Sequence, residues 1–231
     1  MITAIINLNA RPQPNDVACN LAVLRARTGR KVCLLDLAPR QLTKGWSIAR
    51  GAAGIRPWVG GRSISCHGLE HDLHALSQRF NDLLVDIGSN DTAASRQALA
   101  AAKHALVLVL PEMLDLATQY ALIQRLNAAR SANPGLRVTL VPLVRDIVPG
   151  EEAFAVLRAF AHRVSAEALA QTEIHLPSAY DYGPGRCVCD AATCDPELAE
   201  QLSALYREIF ALQTVAPVTR ATSTSIASET H

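Results

Sequence analysis

The sequence predicts an α/β domain, a doubly wound, mostly parallel sheet with helices on both faces. Three observations carry this expectation. Short apolar runs recur along the chain at Ile2–Asn7, Val32–Leu37, Leu83–Asp86 and Ala105–Leu110. They lack the polar alternation of a strand with one wet face, so both faces are expected to be covered. Helical patterns separate the runs, and 231 residues fill one core while leaving two cramped.

Taken in order, Ile2–Asn7 is the first buried strand, and Asp16–Thr28 reads as a helix closed by Gly29. Val32–Leu37 is the second strand. Residues 39–66 are rich in Gly, Ser and Arg and read as a long loop with a poorly defined strand. Leu69, Leu73, Leu76 and Phe80 repeat at helical spacing. Leu83–Asp86 is the third strand, with a turn at Ile87-Gly88-Ser89-Asn90-Asp91. Thr92–Ala102 reads as a helix and Ala105–Leu110 as a strand. Leu116, Tyr120, Ile123 and Leu126 mark the next helix, and Asn133-Pro134-Gly135 a turn before the strand Arg137–Val141. Phe154, Leu157 and Phe160 mark a helix, and Glu173–Leu176 a last short strand. Asp195-Pro196-Glu197 starts the final helix, with Asp as N-cap and Pro in the first turn. Leu198, Leu202, Leu205, Ile209 and Leu212 are its buried stripe. From about Thr214 the chain turns to Thr, Ser, Ala and Pro, the composition of a disordered tail. The domain is therefore drawn at 1–212 and the tail at 213–231. No internal repeat is visible.

Composition excludes several classes. The net charge is +1, which makes no global electrostatic case for nucleic acid. No apolar run reaches the roughly 18 residues of a membrane span. The N-terminus enters a strand pattern directly, so a signal peptide is not expected. Six Cys without an export signal point to free thiols in a reducing, cytoplasmic setting.

The stretch after the first strand carries the functional reading. It runs Leu8-Asn9-Ala10-Arg11-Pro12-Gln13-Pro14-Asn15-Asp16, then Val-Ala-Cys-Asn-Leu-Ala. Further on stand Asp36-Leu37-Ala38-Pro39-Arg40, Trp46 with Ala49-Arg50-Gly51, the segment Leu83–Asp91, and Ala98–Ala102 followed by Leu106–Pro111 and Asp115. In order and spacing these resemble the ParA/MinD family of P-loop ATPases over roughly residues 1–212. That family has a Lys-Gly-Gly-x-Gly-Lys-Thr-Thr loop after its first strand and a helix reading roughly x-A-x-N-L-A. The resemblance implies a P-loop NTPase fold and a role in positioning DNA, plasmids or protein assemblies.

The same alignment implies that the ATPase site has degenerated. The family's two lysines fall on Asn9 and Pro14, its glycines on Ala10, Arg11 and Gln13, and its Mg-binding Thr on Asn15. A phosphate loop needs inward backbone N–H groups, glycines that reach positive φ, and a lysine. Pro12 and Pro14 remove two donors and fix φ. Ala10, Arg11 and Gln13 add Cβ atoms. Asn15 or Asp16 is a natural N-cap, and a carboxylate at Asp16 suits the positive end of the helix dipole. The family's second Asp after the second strand, which orients the attacking water, falls on Ala38. The Asn that reads adenine is missing near Val141-Pro142-Leu143. Asp36 matches the family's first Asp and Asp86 its Mg-linked carboxylate; both are expected to be structural remnants. The expectation is a pseudo-ATPase without cofactor, catalytic residue or resident metal. It binds or scaffolds a protein partner, an active ParA-like ATPase or itself as a homodimer, and non-specific DNA is a further candidate. The alternatives are a divergent nucleotide hydrolase using Arg11 and Asp86, an accessory subunit of a secretion or cellulose-synthesis complex, and a DNA-binding module without ATP control.

Two clusters remain. Cys187, Cys189 and Cys194 form a C-x-C-x4-C set that three-thiolate zinc binding would suit. The spacing is not that of a zinc knuckle, and buried thiols are the preferred reading. Cys66, His67, His71 and His74 are the other; the three histidines share a helix face opposite Leu69, Leu73 and Leu76 and read as surface histidines, with weak metal binding beside Asp72 as the alternative. Arg125, Arg130 and Arg137 are candidates for a basic patch, with a solvated helix face preferred at this net charge.

Overall fold

The structure, a computed structural model, describes residues 1–8, 15–37, 42–64, 68–145, 150–164, 168–176, 182–190 and 195–210, except the side chains of Asn15, Asp16 and Ala168. The expected tail and Leu212 lie outside the described residues.

Strand β1 (Ile2–Asn7) runs into helix α1 (Asn15–Arg27), and Gly29 beyond it has φ 81°, the left-handed turn expected after a helix. Then come β2 (Val32–Asp36), α2 (Leu42–Ala52), β3 (Gly60–Ser63), α3 (Leu69–Ser77) and β4 (Asp82–Gly88). The second half holds α4 (Ala93–Ala101), β5 (His104–Val109), α5 (Leu116–Ala132), β6 (Arg137–Val144), α6 (Glu151–Arg163), β7 (Ala168–Leu169), β8 (Ile174–His175) and α7 (Pro196–Phe210).

All strand pairs are parallel, in the order β3-β2-β4-β1-β5-β6-β7, with β8 also against β6. Alternate strand residues feed two cores. Ile5, Leu34, Leu84 and Leu106 pack under α1 and α7. Ile6, Leu35, Leu83, Val85 and Val107 pack under α3, α4, α5 and α6. This is the doubly wound architecture expected, and the apolar runs are continuous because neither face meets water. Pro142 is tolerated inside β6, since it falls between the residues that β7 and β8 pair, Thr139 and Leu140 on one side and Leu143 and Val144 on the other.

Three expectations are corrected. Residues 39–66 hold a helix and a defined edge strand. The helix α2 was hidden because its buried residues are Thr43, Ser47 and Arg50 rather than an apolar stripe. On α5 the buried face is Gln119, Leu122, Arg125, Leu126 and Ala129. Leu116 and Tyr120 are instead 78% and 66% exposed. The apolar spacing gave the wrong phase because two polar side chains are buried, Gln119 donating to the Leu114 carbonyl at 2.9 Å and Arg125 to that of Ser89 at 3.0 Å. The third strand continues to Gly88, and β7 has no signal in so short a segment.

Two ionic knots tie distant segments. Asp82, fully buried, accepts from Arg25 and Arg30 and lies 3.8 Å from the N-terminal ammonium. Burial works against its charge, but the two guanidiniums outweigh that and hold its pKa below the usual range. Arg50 forms the second knot. Its guanidinium is fully buried and grips Asp190 through two bonds, Nη1–Oδ2 at 3.0 Å and Nη2–Oδ1 at 2.9 Å. It also donates to the carbonyls of Pro57, Gly185 and Arg56. Trp46 stacks over it at 5.2 Å and donates to the Arg186 carbonyl at 2.8 Å. Gly185, at φ 73°, admits this approach, since a Cβ there would meet the Arg50 backbone nitrogen at 2.2 Å.

Candidate functional site

The carboxyl ends of β1, β2 and β4 lie side by side. Helix α1 leaves β1 on one face and α4 leaves β4 on the other, so these adjacent strand ends form the topological switch point where such sheets bind ligands. The strand register puts Asp36 opposite Asp86, and Ile5 opposite Asp86. The pairing then skips from Ile5–Asp86 to Ile6–Gly88, a bulge at Ile87 that re-aims the turn beyond it. Gly88, at φ 61°, starts that turn.

Asp36 is buried and structurally employed. Its Oδ2 accepts from the Thr43 amide at 2.9 Å, the Thr43 hydroxyl at 2.7 Å and the Lys44 amide at 3.4 Å. It thus caps the first turn of α2 from another element. Asp86 accepts from the Gly88 amide at 3.1 Å. Burial pushes its pKa up to about 6 and the nearby Asp36 adds to this, with the Gly88 amide opposing.

The turn after β4 is held from α5. Arg125 donates to the Ser89 carbonyl, and its Nε lies 3.9 Å from an Asp91 carboxylate oxygen. Arg96 holds the same carboxylate through two bonds of 3.0 and 2.8 Å. Burial lowers the pKa of Arg125, with Asp91 opposing and Arg96 adding to the fall. Arg125 is therefore neither part of a basic patch nor on a solvated face. Arg130 donates to the Val164 carbonyl. Sequence periodicity could not find the role of Arg125, because its partners Ser89 and Asp91 follow a different strand, β4.

A magnesium nucleotide held in the manner of P-loop enzymes needs a lysine, a hydroxyl ligand to the metal and close backbone donors. The segment from Leu8 to Asp16 contains no Lys, Gly, Ser or Thr. Asp36 is committed to three donors. By sequence, the stretch Leu8–Asp16 supplies neither the lysine nor the hydroxyl. The loop itself, from Asn9 to Pro14, and Ala38 lie outside the described residues, and α1 begins at Asn15.

Cys187 and Cys189 sit in the core under α1 and α7. The Cys189 amide donates to the buried Asn20 side chain at 2.8 Å, and the Cys187 amide to Asp190 at 2.9 Å. Burial raises both thiols, Cys189 to about 11 and Cys187 further. Cys194 lies outside the described residues. Among the described residues no group of three His, Cys, Asp or Glu is placed to hold a metal. His71 and His74 are exposed on α3, opposite the buried Leu69, Leu73 and Leu76; Cys66 and His67 lie outside the described residues. Among the described residues no helix is long and apolar enough to cross a membrane.

Sheet order, parallel pairing and the two helical layers define the fold of the ParA/MinD-like P-loop NTPases. Solved structures share it along nearly the whole chain. Cobyrinic acid a,c-diamide synthase from Mycobacterium smegmatis, with bound ATP analogue and magnesium, is 16% identical, with a TM-score of 0.63 over 94% of this chain and 98% of that one. The MinC:MinD cell division complex of Aquifex aeolicus gives 13% identity and 0.61 over 95% and 98%. A ParA family ATPase from Chlorobium tepidum gives 12% identity and 0.62 over 89% and 98%. At these identities the likeness is one of fold. No protein-family model and no curated protein matches the chain by sequence.

Proposed function

We propose that this chain is a pseudo-ATPase on the ParA/MinD-like fold. It acts as a binding or scaffold protein in DNA or plasmid partitioning or in protein positioning, without nucleotide hydrolysis. The observation that carries this is the stretch Leu8–Asp16, which keeps the length of a phosphate loop and none of its chemistry. The use of Asp36 as a helix cap supports it. One neighbour of the same fold is a complex with a protein partner, MinC:MinD.

The partner proposed is a second copy of this chain. Met113, Leu116 and Tyr120 are exposed beyond the carboxyl end of β5. The ParA/MinD resemblance puts the nucleotide-sandwiched dimer face at this end of the sheet. Apolar side chains there favour an interface that closes without ATP. Sedimentation velocity over a concentration series tests this. Self-association is expected to be the same with and without magnesium ATP, and Leu116→Glu with Tyr120→Glu is expected to weaken it by at least about tenfold. A dimer that forms only with magnesium ATP would overturn the pseudo-ATPase reading. A monomer at every concentration would overturn the second copy as partner.

A further inference from the structure

The outer edge of the sheet carries a cleft of about 420 Å³ that the proposed function does not use; at one end its Lys44 and Ser63 border Asp36, which accepts from the Lys44 amide and pairs with Ser63. It is lined by Trp58 and Phe80, by the cations Lys44, Arg62 and Arg79, and by Ser63. The two rings are 6.3 Å apart and inclined by 24°, close to parallel. They sit directly against the edge strand β3. A Cβ on Gly60 would meet Phe80 at 3.1 Å and Trp58 at 3.2 Å, so glycine lets the rings reach the backbone. Trp58 is nevertheless 51% exposed, so much of this platform is open to solvent.

The charges are one-sided. Lys44 reaches the Ser63 hydroxyl at 3.1 Å. Among the described residues neither Arg62 nor Arg79 is ion-paired with a carboxylate. A smaller cleft of about 200 Å³ continues past Arg62, Ser63 and Arg79 to Asp72, Ala75 and Leu76, and among the described residues lining the two clefts Asp72 is the single carboxylate. A short, charged edge strand is a common protection against edge-to-edge pairing. That protection does not need an open aromatic platform beside three cations. An aromatic face next to clustered cations is the chemistry that stacks a base and holds its phosphate. The volume lies in the range of small-ligand sites, about 300–1,000 Å³.

We propose that this cleft binds a nucleotide unit, its base stacked on Trp58 and its phosphate held by Arg62, Arg79 and Lys44. The unit comes either as a free mononucleotide or as one residue of a single strand. Its lining includes neither Asp36 nor Asp86, and the site needs no magnesium and does not depend on the pseudo-ATPase reading.

The test is a titration of the full chain, without magnesium and at low salt. One arm uses AMP and GMP, followed by calorimetry. The other uses a labelled oligothymidine of about ten nucleotides, followed by fluorescence anisotropy. Binding in at least one arm is expected, with Trp58→Ala weakening it by about tenfold. Arg62→Glu combined with Arg79→Glu is expected to weaken it at least as much, and added salt to weaken the oligonucleotide arm steeply. Asp86→Ala is expected to leave it unchanged, which separates this site from the switch point. Equal binding in both arms identifies the free nucleotide as sufficient; binding of the oligonucleotide alone identifies a strand. No binding in either arm at millimolar ligand, or binding that survives both the Trp58 and the paired Arg substitutions, overturns the proposal.

Discussion

Replacing Arg50 with alanine is expected to cost roughly 3–5 kcal/mol of folding stability, the range for removing one partner of a buried ion pair. The expected fall in melting temperature is roughly 10–15 °C for a chain of this size. The substitution leaves the Asp190 carboxylate buried with the Cys187 amide still donating to it, and strips donors from the carbonyls of Pro57, Arg56 and Gly185. Arg50→Lys is expected to recover little, because one ammonium cannot span two carboxylate oxygens and three carbonyls in a planar fork. Replacing both partners, Arg50→Met with Asp190→Leu, is expected to recover much of the loss by removing the stranded charge. Thermal and denaturant unfolding of the four proteins measures this. A loss below about 1 kcal/mol for Arg50→Ala would mean that the segment Tyr182–Asp190 is not anchored as described.

Asp86→Asn is expected to stabilise the protein, and only above a defined pH. An unfolded Asp titrates near 3.9, whereas burial first and the neighbouring Asp36 second raise folded Asp86 to about 6. Between these values the folded state holds a proton that the unfolded state has released. Stability therefore falls as pH rises through this window, and the cost is complete above the folded pKa. Two pKa units correspond to about 3 kcal/mol. Asn cannot ionise and keeps an oxygen for the Gly88 amide. The variant is expected to be more stable than the parent by about 2–3 kcal/mol at pH near 7.5, with the difference closing by pH near 4. The carboxylates with lowered pKa values, Asp82, Asp91, Asp115 and Asp190, lose their contribution to stability at low pH in both proteins and cancel in the difference. Urea unfolding at both pH values checks it. A difference that does not change with pH would show that Asp86 titrates normally.

The strands were legible because continuous apolar runs have one good explanation, burial on both faces. Helices α3 and α7 were legible from Leu69, Leu73 and Leu76, and from Leu198, Leu202, Leu205 and Ile209, all buried as expected. Helix α2 was not, since Thr43, Ser47 and Arg50 are buried through hydrogen bonds and an ion pair whose partner stands 140 residues away. The phase of α5 failed for the same reason, with Gln119 and Arg125 inside and Leu116 and Tyr120 outside. Periodicity reads burial by hydrophobicity and has no view of burial by partnership. At the candidate site, Asp36 and Asp86 were assigned to one site by the ParA/MinD resemblance, and the β2–β4 register sets them opposite each other. The grip of Arg125 on the turn after β4 carries no local signal. Nor does the outer-edge cleft, whose Lys44, whose Trp58 and Arg62, and whose Phe80 come from three separate segments.

The most direct test of the central claim is a calorimetric titration of the full chain with ATP and magnesium, using Trp58→Ala beside the parent so that heat from the outer-edge cleft is recognised. The Trp58→Ala protein is expected to show no magnesium-dependent heat up to millimolar nucleotide. Micromolar binding that requires magnesium and is lost in Asp86→Ala would contradict it, and would make Leu8–Asp16 a rebuilt nucleotide loop.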